Sequence, residues 1–285
     1  MGEQVGIIDD IKKDAKGNMT KVQTSEERDI EKLLNSLFYL DKNIPKELEF
    51  LKSVMTRGAE TTERKGLHAS AIIVSDNKFC YRQQVLSLFY KQLQGEQTPV
   101  GLKRIFAEGD AIHEKWQRLF IRGGLCDPLD CDFSRFADEF DLSYTPDIIC
   151  SLPRNLSLTK PSKEWDSYVV EIKSMNTFSF KKQEHHASGR KQCQLYMYLT
   201  GIHKGIVLCD DKNTQEFKVK RYDYNPSEIA PYLGRLEQIQ QYKQNLKENH
   251  RLVKRCEQCG TINSKKAQEC PMRDVCFGKS KERII

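Results

Sequence analysis

An apolar run that turns into an acid and a lysine two residues apart, Tyr168-Val169-Val170-Glu171-Ile172-Lys173, constrains this chain more than any other stretch. Residues i and i+2 of a β-strand share a face, so Glu171 and Lys173 look into one pocket while Ile172 packs into the opposite layer. Upstream, Asp147 sits in Tyr144-Thr145-Pro146-Asp147-Ile148-Ile149-Cys150, a short strand-like run able to pair beside the first. Hard cations such as Mg2+ take oxygen ligands and keep several waters, so two carboxylates plus a substrate phosphate make a normal complement. Lys173 then holds a phosphate oxygen or the attacking water. Together these residues supply what a metal-dependent phosphodiesterase needs.

The chain has 285 residues and 38% hydrophobic content, enough for one large domain or a domain with appendages. Its 46 Lys+Arg against 40 Asp+Glu give a net charge of +6, an excess that permits nucleic-acid binding without demanding it. No run of 18 apolar residues occurs and the opening Met1-Gly2-Glu3-Gln4 is polar, so no membrane partner is expected and the predicted location is cytoplasmic, or host cytoplasm if the source is viral.

Residues 1–23 are polar and read as a loose arm. Thr24-Ser25-Glu26-Glu27 is a capping box ahead of Ile30, Leu33, Leu34 and Leu37 at helical spacing. A second helix is predicted over 46–54, a third from Phe79 onward opened by Cys80 and Arg82, and an amphipathic one over 107–122 carrying His113. Short β-type runs follow between 133 and 149, then a loop over 151–166, the Glu171 strand, a helix over 189–199, a hairpin over 205–219 and a long helix from Pro226 to about Leu252. The order predicts a mixed sheet flanked by helices. The expected organisation is an N-terminal arm with helices over 1–66, a core over 67–252 and a Cys-rich tail over 253–285.

Four features in this order, His113 in a helix, Asp147 on one strand, Glu171-Ile172-Lys173 on the next and Gln192-x3-Tyr196 on the following helix, resemble the RecB-like branch of the PD-(D/E)XK nucleases. Gln192 and Tyr196 are i and i+4 and so share a helix face. The resemblance spans about residues 67–276. It implies an α/β restriction-endonuclease-like fold in which His113, Asp147 and Glu171 bind Mg2+ or Mn2+ and Lys173 positions or activates water. Gln192 and Tyr196 would orient substrate or Lys173, with Gln194 the weaker alternative to Gln192. A bare Glu-x-Lys occurs in many solvated strands, and a lone helical His is more often structural; the ordered set is much harder to obtain by accident. Lys181, Lys182, Arg190 and Lys191 beside the site are candidates for a phosphate backbone, set against a plain solvated face. His185 and His186, just ahead of the helix over 189–199, are candidates for touching DNA but read better as solvated loop residues.

Five of the ten cysteines, Cys126, Cys131, Cys150, Cys193 and Cys209, read as small buried hydrophobes. Cys256-x2-Cys259 and Cys270-x5-Cys276 instead put four thiols in a short polar tail, a strong metal signal. Four local thiolates can close a tetrahedral zinc site unaided. Cys80-Tyr81-Arg82 paired with this tail resembles the iron-sulfur RecB-like nucleases, those associated with CRISPR adaptation and AddB, in which one Cys before the core and three after it hold a 4Fe-4S cluster. Their usual spacing would put a thiolate at Ala267, so Cys256 or Cys259 substitutes and one thiol is surplus. The cluster is preferred over zinc because Cys80-x-Arg82 otherwise has no role.

The resulting expectation is a DNA exonuclease favouring single-stranded or free ends, in recombination, repair or CRISPR-type spacer processing. No phosphate loop of the helicase type is present, so a helicase or recombination partner would be a separate chain. The alternative is a non-catalytic nucleic-acid-binding or assembly protein that docks through its metal-clamped tail.

Overall fold

The computed structural model describes residues 11–13, 19–21, 24–37, 66–90, 100–154, 163–182 and 187–278. The predicted helix over 46–54 and the pair His185 and His186 lie outside the described residues. In chain order the elements are β1 (Ile11–Lys13), β2 (Met19–Lys21), α1 (Ser25–Leu37), β3 (Leu67–His68), α2 (Ala69–Ile72), α3 (Tyr81–Phe89), α4 (Val100–Arg122), β4 (Arg135–Ala137), β5 (Leu142–Tyr144), β6 (Ile148–Pro153) and β7 (Trp165–Met175). They continue with α5 (Thr177–Lys182), α6 (Ala187–Thr200), β8 (Lys204–Asp211), β9 (Phe217–Asp223), α7 (Pro226–Asn249), α8 (Lys265–Gln268) and α9 (Arg273–Cys276).

The capping box forms as its sequence requires: Glu27 N donates to Thr24 Oγ1 at 3.2 Å and Thr24 N to Glu27 Oε2 at 2.9 Å. Several boundaries differ from the sequence expectation, among them the start of α4, at Val100 rather than 107. Strand β6 runs on to Pro153, because cross-strand pairing with Trp165–Ser167 holds residues that look like loop. Helix α7 stops at Asn249, where His250 turns left-handed at φ 51 and its N–H closes on the Leu246 carbonyl. Within the segment read as a loose arm, β1 pairs antiparallel with β2.

The main sheet has the order β6-β7-β8-β9, with β7 and β8 parallel and the outer pairs antiparallel. A parallel pair is covered on both faces, which explains the near-continuous apolar runs in β7 and β8. Alternate residues divide between two cores. Val170, Ile172, Ile206 and Leu208 pack with Ile30 and Leu34 of α1 and Trp116 and Phe120 of α4. Val169, Val207 and Cys209 pack with Leu195 and Met197 of α6 and Leu236 and Ile239 of α7. Each such fully buried side chain contributes about 1.5–3 kcal/mol. The fold is thus a mixed α/β sheet flanked by helices, with β3-β5-β4 as a smaller second sheet.

Strand β9 is one edge of the sheet, and α1 lies along it. Glu31 Oε1 accepts from Val219 N at 3.0 Å and Glu27 Oε1 from Arg221 N at 3.3 Å, so carboxylates pair backbone donors that an edge leaves unpaired. At the other end of the chain the tail docks on α3. Leu86 and Tyr90 bury Met272 and Val275, while Arg82 donates to the carbonyls of Val253 at 2.9 Å and Cys276 at 3.2 Å.

Candidate active site

The site opens where β6 and β7 stop pairing. Their last backbone pair is Ile148 with Val170, and one residue further the Asp147 carboxylate replaces the ladder: Oδ2 accepts from Ile172 N at 2.6 Å. Asp147 is held from three directions. Its carbonyl accepts from Asp132 N at 3.1 Å and from Gln117 Nε2 at 3.3 Å, and its Oδ1 lies 3.2 Å from His113 Nδ1. His113 and Gln117 are i and i+4 on α4, so one helix face delivers both contacts. That helix is pinned at its neighbouring turn by Trp116 Nε1 and Lys115 Nζ, which donate to the buried Asp210 Oδ2 at 2.7 and 2.5 Å.

On β7, Glu171 and Lys173 share the face toward α6, as the two-residue spacing requires. Lys173 Nζ contacts Glu171 Oε1 at 2.6 Å and donates to Gln192 Oε1 at 3.2 Å, and Gln192 Nε2 donates to Tyr196 Oη at 2.8 Å. Of the two glutamines, Gln192 faces the site. Gln194 instead donates to the Asp223 carbonyl and accepts from Asn225 N, tying α6 to the start of α7.

One residue of this site is silent in the sequence. A Cβ at Gly189 would meet Lys173 Cγ at 3.1 Å, Lys173 Cε at 3.2 Å and Val207 Cγ1 at 3.2 Å. The glycine lets α6 approach β7 closely enough for the lysine stem to pass beneath it. A helical Gly three residues before a Gln-x3-Tyr is a signal only once the Lys173 strand is known to lie under that turn.

Burial and the nearby Asp147 push the Glu171 carboxyl up to about 8, against the opposing pull of Lys173 and His113. Burial pulls Lys173 down, but Glu171 and Asp147 outweigh it and the net direction is up, so the ammonium stays charged. His113 likewise resists burial and is raised through its hydrogen bond to Asp147. Glu171 is 1% exposed, and its Oε2 has no hydrogen-bond partner. A buried oxygen without a donor beside a second carboxylate and an imidazole is a donor set suited to a hard divalent cation. Among the described residues, no three His, Cys, Asp or Glu side chains already stand in ligating geometry.

The basic candidates split. Lys181 and Lys182 on α5 are exposed. Arg190 is ion-paired with Glu228, its Nε donating to Oε2 at 2.8 Å, and its guanidinium lies 5.2 Å from the Tyr222 ring; Lys191 is partly buried. The cysteines split too. Cys131, Cys150, Cys193 and Cys209 are buried, while Cys126 is half-buried with its Sγ 3.2 Å from that of Cys131.

The five remaining thiols, Cys80, Cys256, Cys259, Cys270 and Cys276, line one pocket between α3 and the tail, together with Ala267. Burial and the neighbouring thiols push Cys259 up to about 12 and Cys270 up to about 11, and burial raises Cys80. Converging thiols that resist ionisation on their own have the chemistry of a soft-metal donor set, whose cation would offset the thiolate charge. Ala267 lies in the same wall, so Cys256 and Cys259 reach from the preceding turn to the pocket that a Cys at 267 would line.

No family model matches the chain, and no curated protein matches its sequence. Among solved structures it is similar to the alkaline exonuclease LHK-Exo from Laribacter hongkongensis, at 16% identity and a TM-score of 0.40, covering 65% of this chain and 93% of that one. LHK-Exo in complex with dAMP gives a TM-score of 0.43 at the same identity and coverage. The protein SSO0001 is similar at 14% identity and a TM-score of 0.39, covering 74% of this chain and 94% of that one. Among the described residues, no helix is long and apolar enough to cross a membrane.

Proposed function

We propose that this chain is a divalent-metal-dependent phosphodiesterase that cleaves DNA, working as an exonuclease on single-stranded or free ends. The observation carrying this reading is the juxtaposition of two contact sets, His113 with Asp147 and Glu171 with Lys173, Gln192 and Tyr196, joined where the Asp147 carboxylate accepts from the backbone N of Ile172 between Glu171 and Lys173. His113, Asp147 and Glu171 would hold Mg2+ or Mn2+. When bound, such a cation activates water and offsets charge on the scissile phosphate.

Lys173 is a charged donor, so its part is to hold a phosphate oxygen and stabilise developing negative charge rather than to remove a proton. Gln192 sets the direction of the ammonium, and Tyr196 sets that of Gln192. Asp147, anchored through Ile172 N, keeps His113 in register with the carboxylates.

The five-thiol pocket supports a structural metal centre that staples the tail to α3. That Cys80 shares the pocket with all four tail thiols favours a 4Fe-4S cluster over a zinc site built from the tail alone. Together with the ordered motif set, this supports placement with the RecB-like iron-sulfur nucleases and a role in recombination, repair or spacer processing beside a helicase or adaptation partner.

The test is cleavage of end-labelled DNA with Mg2+ or Mn2+ by the wild-type chain, Lys173→Ala and Glu171→Gln, with folding checked by circular dichroism. Metal-dependent cleavage lost in both folded variants supports the reading. DNA binding without turnover by the wild-type chain overturns it in favour of a non-catalytic binding protein.

A further inference from the structure

Five large apolar side chains are exposed among the described residues: Leu129, Phe133, Phe136, Trp165 and Phe178. Trp165 opens β7, about 26 Å along the strand from Lys173 at the usual rise per residue. Phe178, the most exposed at 68%, follows the opposite end of β7, where the strand leaves Lys173 and turns at Asn176 after about 10 Å.

The short helix that displays this ring is firmly seated. Asn176 Oδ1 accepts from Ser179 N at 2.8 Å, Thr177 Oγ1 donates to Asp211 Oδ1 at 3.0 Å, and Asn213 Nδ2 donates to Thr177 Oγ1 at 3.0 Å. Phe180 is buried, with Lys218 Nζ 4.5 Å from its ring centre. Residues two apart on a helix point to different sides, so burying Phe180 turns Phe178 outward. Positions 178, 181 and 182 fall on one face, which carries the ring and two lysines. Lys182 Nζ stands 4.2 Å from the Phe178 ring centre.

A largely exposed aromatic ring with the Lys182 ammonium over it and exposed Lys181 on the same helix face, on a well-anchored turn beside the proposed phosphodiester site, is matched by an unpaired base and its flanking phosphates. Every base offers a π-face, and the phosphates answer the lysines. Paired bases inside a duplex expose no such face. We infer that Phe178, with Lys181 and Lys182, forms a stacking platform that holds an unpaired nucleotide of a single-stranded substrate segment beside the cleavage site. This rests on the phosphodiesterase reading and gives that site its substrate form.

The test measures fluorescence anisotropy of a labelled 20-residue single strand and of a blunt duplex with the wild-type chain, Phe178→Ala and Phe178→Leu, all without divalent cation. Cleavage with Mn2+ is then followed in the same preparations, whose melting curves are compared. Loss of one stacked base predicts about 5- to 140-fold weaker single-strand binding in Phe178→Ala. Phe178→Leu should recover little of it, blunt-duplex binding should stay within about twofold, and the melts should coincide. If Phe178→Ala binds and cleaves the single strand as the wild type does, or if duplex binding falls equally, this inference is overturned while the enzymatic reading stands. If the wild-type chain cleaves neither substrate, both fall together.

Discussion

Gly189→Ala separates a positioning role at the site from ordinary packing. The added methyl would stand 3.1 Å from Lys173 Cγ and 3.2 Å from both Lys173 Cε and Val207 Cγ1. Carbon pairs prefer about 3.5–4.0 Å, so the shortfall is roughly 0.4–0.9 Å. Val207 is fixed in a central strand, and the lysine is the partner able to give. Moving it by about half an ångström would stretch its 3.2 Å bond to Gln192 to the limit of a hydrogen bond and disturb the 2.6 Å contact to Glu171. A misplacement of about 1 Å costs on the order of 100-fold in rate, so kcat/KM should fall roughly 10- to 100-fold. Stability should fall by a net of no more than about 3 kcal/mol, leaving the chain folded. Overpacking costs about 1–3 kcal/mol, and the better helix propensity of Ala returns up to about 1 kcal/mol. The assay pairs DNA cleavage kinetics with denaturant unfolding. Gly234→Ala is the control, because nothing lies within 4 Å of a Cβ there; it should gain up to about 1 kcal/mol and leave kcat/KM unchanged. A Gly189→Ala enzyme within about twofold of wild type would refute the idea that this close approach sets the lysine.

The raised carboxyl of Glu171 predicts a pH-dependent stability of the metal-free protein. A group whose folded pKa lies above its unfolded value adds stability that is whole below about 4.5 and is lost as pH rises through about 8. Unfolding in chelator across that window should show the decline, and Glu171→Gln should flatten it. Arg82→Ala removes the donor to the Val253 and Cys276 carbonyls and should cost about 1.5–3 kcal/mol per charged hydrogen bond lost, seen as proteolytic cutting of the tail near 251–256 before the core is cut. Arg82→Lys should restore this only in part, because an ammonium cannot reproduce the guanidinium fork. Cys80→Ser should lower the iron or zinc content of anaerobically purified protein and loosen the tail equally. A brown absorbing preparation identifies the cluster, and a colourless one carrying zinc overturns it.

Local rules made much of this molecule legible in advance. The capping box before α1, the shared face of Glu171 and Lys173 and the pairing of Gln192 with Tyr196 follow from spacing, since i,i+2, i,i+3 and i,i+4 relations are fixed by backbone geometry, whereas the grouping of Cys80 with the distant tail thiols is implied only by the resemblance to the iron-sulfur nucleases. What the chain could not reveal depends on which surfaces meet. Asp147 acts as the cap of a broken ladder only because β6 ends opposite Val170. Gly189 matters only because Lys173 runs beneath it. Arg190 is paired with Glu228 on a helix 38 residues away, which no local pattern foretells. The side chains at the two ends of a contact are written in the sequence, but their distance is decided by how sheet and helices pack, and so close approach and charge pairing emerged only with the tertiary structure.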